Sequence, residues 1–315
     1  MDRLLRPLLG LLLALVVPLS AVAADGAAGR GAKEPPIPLL WKVTGQDKSH
    51  VYLLGSFHLL KPDDYPLAPE VDQAFEAAQR VVFELSPQDM ESPQLASKLM
   101  AGAMRRDGKP LRETLDPALW ARLQAYADSN GLPLAQMQVM RPWFVGLTIS
   151  ITEMTRSGLD PKLGLDRHFM ERAQKAGKPG QGLETMDAQV QVFAGMSDAE
   201  QVQMLAEALD EAEAGSAQTQ ELHDLWRRGQ NTVLLERMAT EMRRDYPALY
   251  KRINTDRNDA WVPQLEKFLA PGQGDTLVVV GALHLLGPDG VVEKLRAKGY
   301  KVERICKRCD RSMRK

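Results

Sequence analysis

The sequence predicts an α/β protein. Two related strand, Gly-x-x-His, helix, strand halves form a central mixed sheet, and a large helical insertion makes a lid. Three observations carry this expectation. "VYLLGSFHLL" (Val51 to Leu60) and "VVVGALHLLG" (Val278 to Gly287) are apolar runs that reach a glycine and deliver a histidine three residues on, followed by Leu-Leu. Each run continues into a helix-like and then a strand-like segment. Between them, residues 87–250 are mostly capped stretches with 3.6-residue spacing.

The chain opens with Arg3 and Arg6, then "LLGLLLALVVPLSAV", then small residues before Asp25. That is the pattern of a secretory signal peptide cleaved near Ala23 or Ala24, too short and wrongly flanked for a membrane span. The expectation is a periplasmic or secreted protein with no stable span after cleavage. Residues 25–38 are rich in Gly and Pro and form a flexible lead-in, 39–306 a single domain, and 307–315 a basic tail.

Leu39 through "KVTG" makes a first strand, "QDKS" a turn, and "HVYLLGSF" its hairpin partner. After a loop, Pro69 and Glu70 open a helix whose Val71, Ala74, Phe75 and Ala78 share one face. "VVFEL" closes the unit as a buried strand ending at Glu84 and Leu85. In the second half, "DTLVVVGALH" is too apolar for a one-sided strand and needs cover on both faces. "LLGPDG" is its loop, "GVVEKLRAKG" its helix with Gly299 as the cap, and "YKVERI" its closing strand. Within the insertion, "SPQLASKLM", "DPALWARLQAYADSNG", "MSDAEQVQMLAEALDEAEAG" and "TVLLERMATEMRRDYP" read as helices. "GLDRHFMERAQKAGK" is another, with Asp166 as N-cap and Gly177 at its end, and "GQGLET" is a short strand ending at Glu184.

Net charge of −1, with no basic face interleaved with aromatic residues, gives no nucleic-acid signature. Cys306 and Cys309 are the only cysteines. One pair is half of a zinc site, and no second pair exists, so a local disulfide is expected in an oxidising compartment.

Ligands bind open α/β sheets at the carboxyl ends of the strands. His58, Glu84, Glu184 and His284 all sit at such ends and are expected to converge. Gly55 and Gly281, each three residues before its histidine, allow a sharp turn or close approach of a ligand. Two imidazoles with one or two carboxylates suit zinc, manganese, cobalt or iron, and an ion so held activates water and polarises a carbonyl. His58 and His284 are the expected ligands. Glu84 is a ligand or general base, and Glu184 a further ligand or base. Arg257 and Asn258, at a helix start, suit oxyanion stabilisation and its orientation, or a simple hydrogen-bonding cluster. His50 in a turn, His168 on a helix and His223 among charged residues read as surface or packing residues, and the five Trp as core or lid packing.

"WKV", "YLLGSFHLL", "VVFEL", "RPWFVGLTI", "GLDRHF", "GKPGQGLET", "DRNDAWV" and "VVVGALHLLGPDGVVEKLRAKGY" together resemble the TraB/GumN family, which includes the Tiki proteins, from about Leu39 to Ile305. The resemblance implies a metal-dependent hydrolase related to Tiki metalloproteases, acting on a peptide or protein with a divalent manganese, cobalt or zinc ion. It also implies a fold similar to erythromycin esterase-like and ChaN-like proteins. The paired motifs fall on Gly55 and His58 and on Gly281 and His284, the acid on Glu84, and the Arg-Asn pair on Arg257 and Asn258. Relatives of other kinds leave two alternatives open, a peptide- or haem-binding protein without turnover and an accessory factor in envelope polysaccharide assembly.

The compartment reading is checked by mass spectrometry of the chain exported from a Gram-negative host. The expected mature protein begins near Ala24 or Asp25 and carries no free thiol; an intact start with two reactive thiols contradicts it.

Overall fold

The structure is a computed structural model and describes residues 34–309. The expected signal peptide, most of the lead-in and the end of the basic tail lie outside the described residues. The rest is α/β, with one six-stranded mixed sheet and helices packed around it.

The strands are β1 (Leu40–Thr44), β2 (His50–Ser56), β3 (Arg80–Leu85), β4 (Gly180–Glu184), β5 (Thr276–Gly281) and β6 (Lys301–Arg304), in the order β4-β3-β5-β2-β1-β6. β4, β3, β5 and β2 run parallel. β1 pairs antiparallel with both β2 and β6. Burial follows from position. Every residue of β5, at the middle of the parallel part, is buried, and its Leu-Val-Val-Val run is what a strand covered on both faces requires. At one edge, β6 alternates exposed and buried residues, the pattern of a strand with one wet face.

The two Gly-x-x-His runs lie side by side as β2 and β5, with Ser56 opposite Gly281. Four parallel strands therefore end on one edge, which places Ser56, Leu85, Glu184 and Gly281 together. The likeness of the halves weakens at their closing strands. β3 pairs with β5, whereas β6 lies beyond β1 because the opening hairpin takes the place next to β2.

Several expectations need adjustment. β5 ends at Gly281, and Ala282–Leu285 is a helical turn, so His284 is turned off the strand axis. His50 is the first residue of β2 rather than part of the turn, and Asp275 accepts from its backbone N–H at 2.8 Å. The "TVLLERMATEMRRDYP" helix is broken: Asn231–Leu235 passes into a π-turn at Glu236–Thr240 before Glu241–Asp245 resumes. Helices not foreseen fill the insertion, among them Pro142–Arg156, whose Trp143 is fully buried and stacks on Phe193. The Leu165–Lys175 helix is capped by Gly164, two residues earlier than an Asp166 cap would place its start, which frees Asp166 for other bonds. Cys306 and Cys309 are joined, and the Lys307 N–H beside them donates to Glu70 Oε1, fastening the chain end to the Pro69–Ala77 helix.

The loop after the first histidine is bolted to the insertion by a buried ion cluster. Asp64 is fully buried and accepts from His223 Nε2 at 2.7 Å, from the Lys61 N–H and from Arg227. His223 is thus a packing residue whose ring bonds a buried carboxylate. Burial alone would raise the Asp64 carboxyl; the His223 and Lys61 hydrogen bonds, with Arg227, hold it below its usual value. Asp64→Asn is expected to cost about 3–5 kcal/mol, because His223 and Arg227 lose their anion. A carboxylate with a lowered folded pKa stabilises above its unfolded value of about 4 and loses that contribution as pH falls below it. The gap between wild type and variant, read by denaturant titration, should therefore be full at neutral pH and close in acid.

Candidate active site

Glu84, the penultimate residue of β3, is the hub. Its Oε1 accepts the Gly281 N–H at 2.8 Å, and its Oε2 accepts Arg257 Nη2 at 2.6 Å. His58 Nε2 and His284 Nε2 stand 3.9 and 4.0 Å from that same Oε1. The two histidines, so far apart in the chain, therefore flank one carboxylate oxygen. Glu84, His58, His284 and Arg257 are all buried.

Each imidazole is held by its other nitrogen. His58 Nδ1 donates to Asp166 Oδ2 at 2.7 Å, and His284 Nδ1 donates to Asn258 Oδ1 at 2.7 Å. A carboxylate can only accept, so Nδ1 of His58 carries hydrogen. His284 Nε2 receives Arg257 Nη1 at 3.0 Å, which fits a neutral ring with its lone pair there. The electrostatics agree. Burial would lower both histidines. The Asp166 charge and hydrogen bond override it at His58 and hold that ring well above its usual value. At His284, burial and the Arg257 charge act together and push it down to about 3. Glu84 would be raised by burial, but the Arg257 charge and the Gly281 N–H keep it ionised, far below the usual carboxylate range.

Arg257 and Asn258 sit in the first turn of the Asp256–Phe268 helix. Arg257 forms a two-pronged pair with Glu184 (Nε to Oε1 2.7 Å, Nη2 to Oε2 3.0 Å) and lies over the Trp261 ring. Trp261 Nε1 donates to Glu184 Oε1 at 2.8 Å, and its ring lies 4.4 Å from that of His284. Glu184 thus spends both oxygens holding Arg257. From the insertion, Gln189 on the Met186–Ala194 helix reaches Glu84 Oε2 at 3.4 Å and covers the cluster from above.

Of the expected residues, His58, Glu84, Glu184, Arg257, Asn258, Gly281 and His284 come together. Gly55 does not: its bare face packs on Leu39 and Ala282, its carbonyl accepts Trp226 Nε1, and it gives no atom to the cluster. Gly281 has a different task. A Cβ there would lie 3.2 Å from both Glu84 Oε1 and His58 Nε2 and 3.5 Å from His284 Cδ2, so its hydrogen leaves a space among the three side chains. Asp166, Ser56, Gln189 and Trp261 were missed as site residues. The signal for Asp166 was the glycine two residues before it, which marks a close backbone approach at a helix start.

Could the cluster hold a metal ion? The donor types fit, since two imidazoles with anchored Nδ1–H and one carboxylate surround the space beside Gly281. Two bonds of roughly 2 Å each span at most about 4 Å. The 3.9 and 4.0 Å separations are therefore near full stretch. Arg257 also holds the Nε2 of His284. Accordingly, among the described residues no group of three or more His, Cys, Asp or Glu stands closed around an ion position. A cavity of about 720 Å³ on the insertion, lined by Arg105, Asp116, Arg122 and Asp198, shares no residue with the cluster.

The model of the TraB/PrgY/gumN family matches residues 39–304. The uncharacterized protein YbaP of Escherichia coli strain K12 is 22% identical over 257 residues, covering 81% of this chain and 90% of YbaP, and YbaP of Shigella flexneri matches to the same extent.

Removing Arg257 leaves two buried carboxylates without a cation. Arg257→Met is expected to cost about 3–5 kcal/mol in chemical denaturation. Adding Glu184→Gln, which removes one of the two stranded charges, should restore part of the loss. Equal stability of wild type and Arg257→Met would show that the ion network does not hold the cluster.

Proposed function

We propose that this chain, which belongs to the TraB/PrgY/gumN family, is an exported hydrolase that cuts peptide bonds with a divalent ion held by His58, His284 and Glu84. One observation carries the reading: two anchored imidazoles face one carboxylate oxygen across the space that Gly281 leaves open. Zinc, manganese and cobalt all suit two nitrogens and an oxygen. When bound, such an ion makes water acidic and polarises a carbonyl.

The other residues act around that centre. Asn258 keeps His284 in the tautomer whose Nε2 is unprotonated. The Gly281 N–H aims Glu84 Oε1 at the same space, and Glu84 stays ionised at neutral pH. Arg257, tethered by Glu184, offers a fixed positive charge beside His284 for an oxyanion formed at the attacked carbonyl. Gln189 and Trp261 keep bulk water from the cluster, so an extended peptide enters only by displacing the cover above Glu84. The polar N-terminal apolar pattern supports an exported, periplasmic or secreted site of action.

A second reading, a peptide- or haem-binding protein without turnover, is favoured by one observation. Arg257 already satisfies His284 Nε2 and Glu84 Oε2 without an ion.

The test uses the mature chain, stripped with chelator and reloaded with zinc, manganese or cobalt, on a mixed peptide library. Cleavage should appear only after reloading. His58→Ala should lose ion and cleavage together, and Glu84→Gln should lower cleavage by about 10²-fold or more. Wild type inactive with all three ions, yet binding one peptide or haem as tightly as both variants, rules for the second reading.

A further inference from the structure

The two Gly-x-x-His units look alike in sequence but are seated by different chemistry. His284 rests on a neutral amide, Asn258, whose own Nδ2 is spent on the Asp289 carbonyl at 2.8 Å. His58 rests on a carboxylate. Asp166 is buried, and its Oδ2 accepts two bonds from the first unit, from Ser56 Oγ at 2.8 Å and from His58 Nδ1 at 2.7 Å.

The contact is built from the backbone outward. The Leu165 N–H, at the head of the Leu165–Lys175 helix, donates to the Phe57 carbonyl at 3.2 Å. A Cβ on Gly164 would lie 2.1 Å from the His58 carbonyl oxygen and 2.7 Å from its carbon, so no other residue fits there. The helix start is thereby pressed directly on the peptide unit of the histidine, and Asp166, one residue further into the turn than Leu165, meets the ring. An acid in the first turn of a helix gains from the dipole without any such partner. That gain explains neither the close-packed glycine nor the two buried hydrogen bonds to Ser56 and His58.

We propose that the Gly-Leu-Asp segment 164–166 is the seat of the first histidine, and that Asp166 is a positioning residue. It holds hydrogen on Nδ1 of His58 and fixes the ring so that Nε2 faces Glu84 Oε1. This assignment rests on the reading of His58 as a working group of the site. A carboxylate behind an imidazole fixes its tautomer and strengthens it as a donor, and loss of such a partner typically costs about 10- to 100-fold in metal affinity. The seat also makes the paired histidines unequal partners, one backed by a negative charge and one by a dipole.

The experiment uses the mature chain with nitrogen-15 in its histidines. His58 is assigned by difference from His58→Ala, and its tautomer is read from long-range nitrogen–proton correlations at a pH high enough to leave the ring neutral. Wild type should show hydrogen on Nδ1. Asp166→Ala should lose that signature, and Asp166→Leu, which keeps bulk but accepts no hydrogen bond, serves if the Ala variant does not fold. Asp64→Asn, a buried acid removed outside the cluster, is the control for lost stability and should keep the wild-type signature. In parallel, competition titration with zinc should show affinity lower by about 10- to 100-fold in Asp166→Asn. A wild-type tautomer in Asp166→Ala or Asp166→Leu, whichever folds, overturns the proposal. If wild type binds no zinc, manganese or cobalt, the metal reading fails on its own, and the tautomer measurement still decides the seat.

Discussion

The pairing of β2 with β5 is the constraint on which the rest depends. Ser56 opposite Gly281 brings the two strand ends level, and β3 continues the same parallel order on the other side of β5. Because a strand places successive side chains on opposite faces, a slip of one residue would turn each end the wrong way. The fully buried Val278, Val279 and Val280 seat β5 in the core on both faces. The site geometry is thus an outcome of core packing two strands deep.

On that frame sits a nearly closed set of charges. Glu84 and Glu184 share one guanidinium, and Asp166 balances His58. Removing charges from water is costly unless every one is paired, and this cluster pairs each of them while leaving the Nε2 of His58 turned toward the space beside Gly281. The same logic recurs at Asp64, where a histidine and an arginine from the insertion meet an acid from the loop after His58. The insertion is therefore attached to the sheet through ionic contacts on both sides of the first histidine as well as through apolar packing.

Much of this was legible in the residues. Apolar runs ending in glycine identified β2 and β5, and the acids at the ends of β3 and β4 do lie at one sheet edge with both histidines. What escaped was whatever depended on a partner from elsewhere in the chain. Asp166 satisfies the local rules for a helix start equally well as a cap or as a free side chain, and only the contact of Gly164 with His58 decides between them. Trp261 reads as ordinary core, yet its indole N–H is committed to Glu184. Gly55 and Gly281 occupy matching places in the two motifs, but one faces Leu39 and the other the cluster, because β5 lies between β2 and β3 whereas β2 has the β1 hairpin beside it. The break in the 231–245 helix has no mark in its spacing.

The central place of β5 bears on how the molecule comes into being. It arrives late in the chain, yet in space it separates β2 from β3, two strands that are complete within the first ninety or so residues. Until it is made, those strands have no native neighbour on their facing sides, and contacts across such long sequence separations are closed slowly. A nascent chain must hold that gap open, or fill it wrongly, while the helices between are synthesised. Assembly of the sheet and appearance of the polar cluster are then a single late event, and no amino-terminal fragment that stops short of β5 can carry the site in any degree.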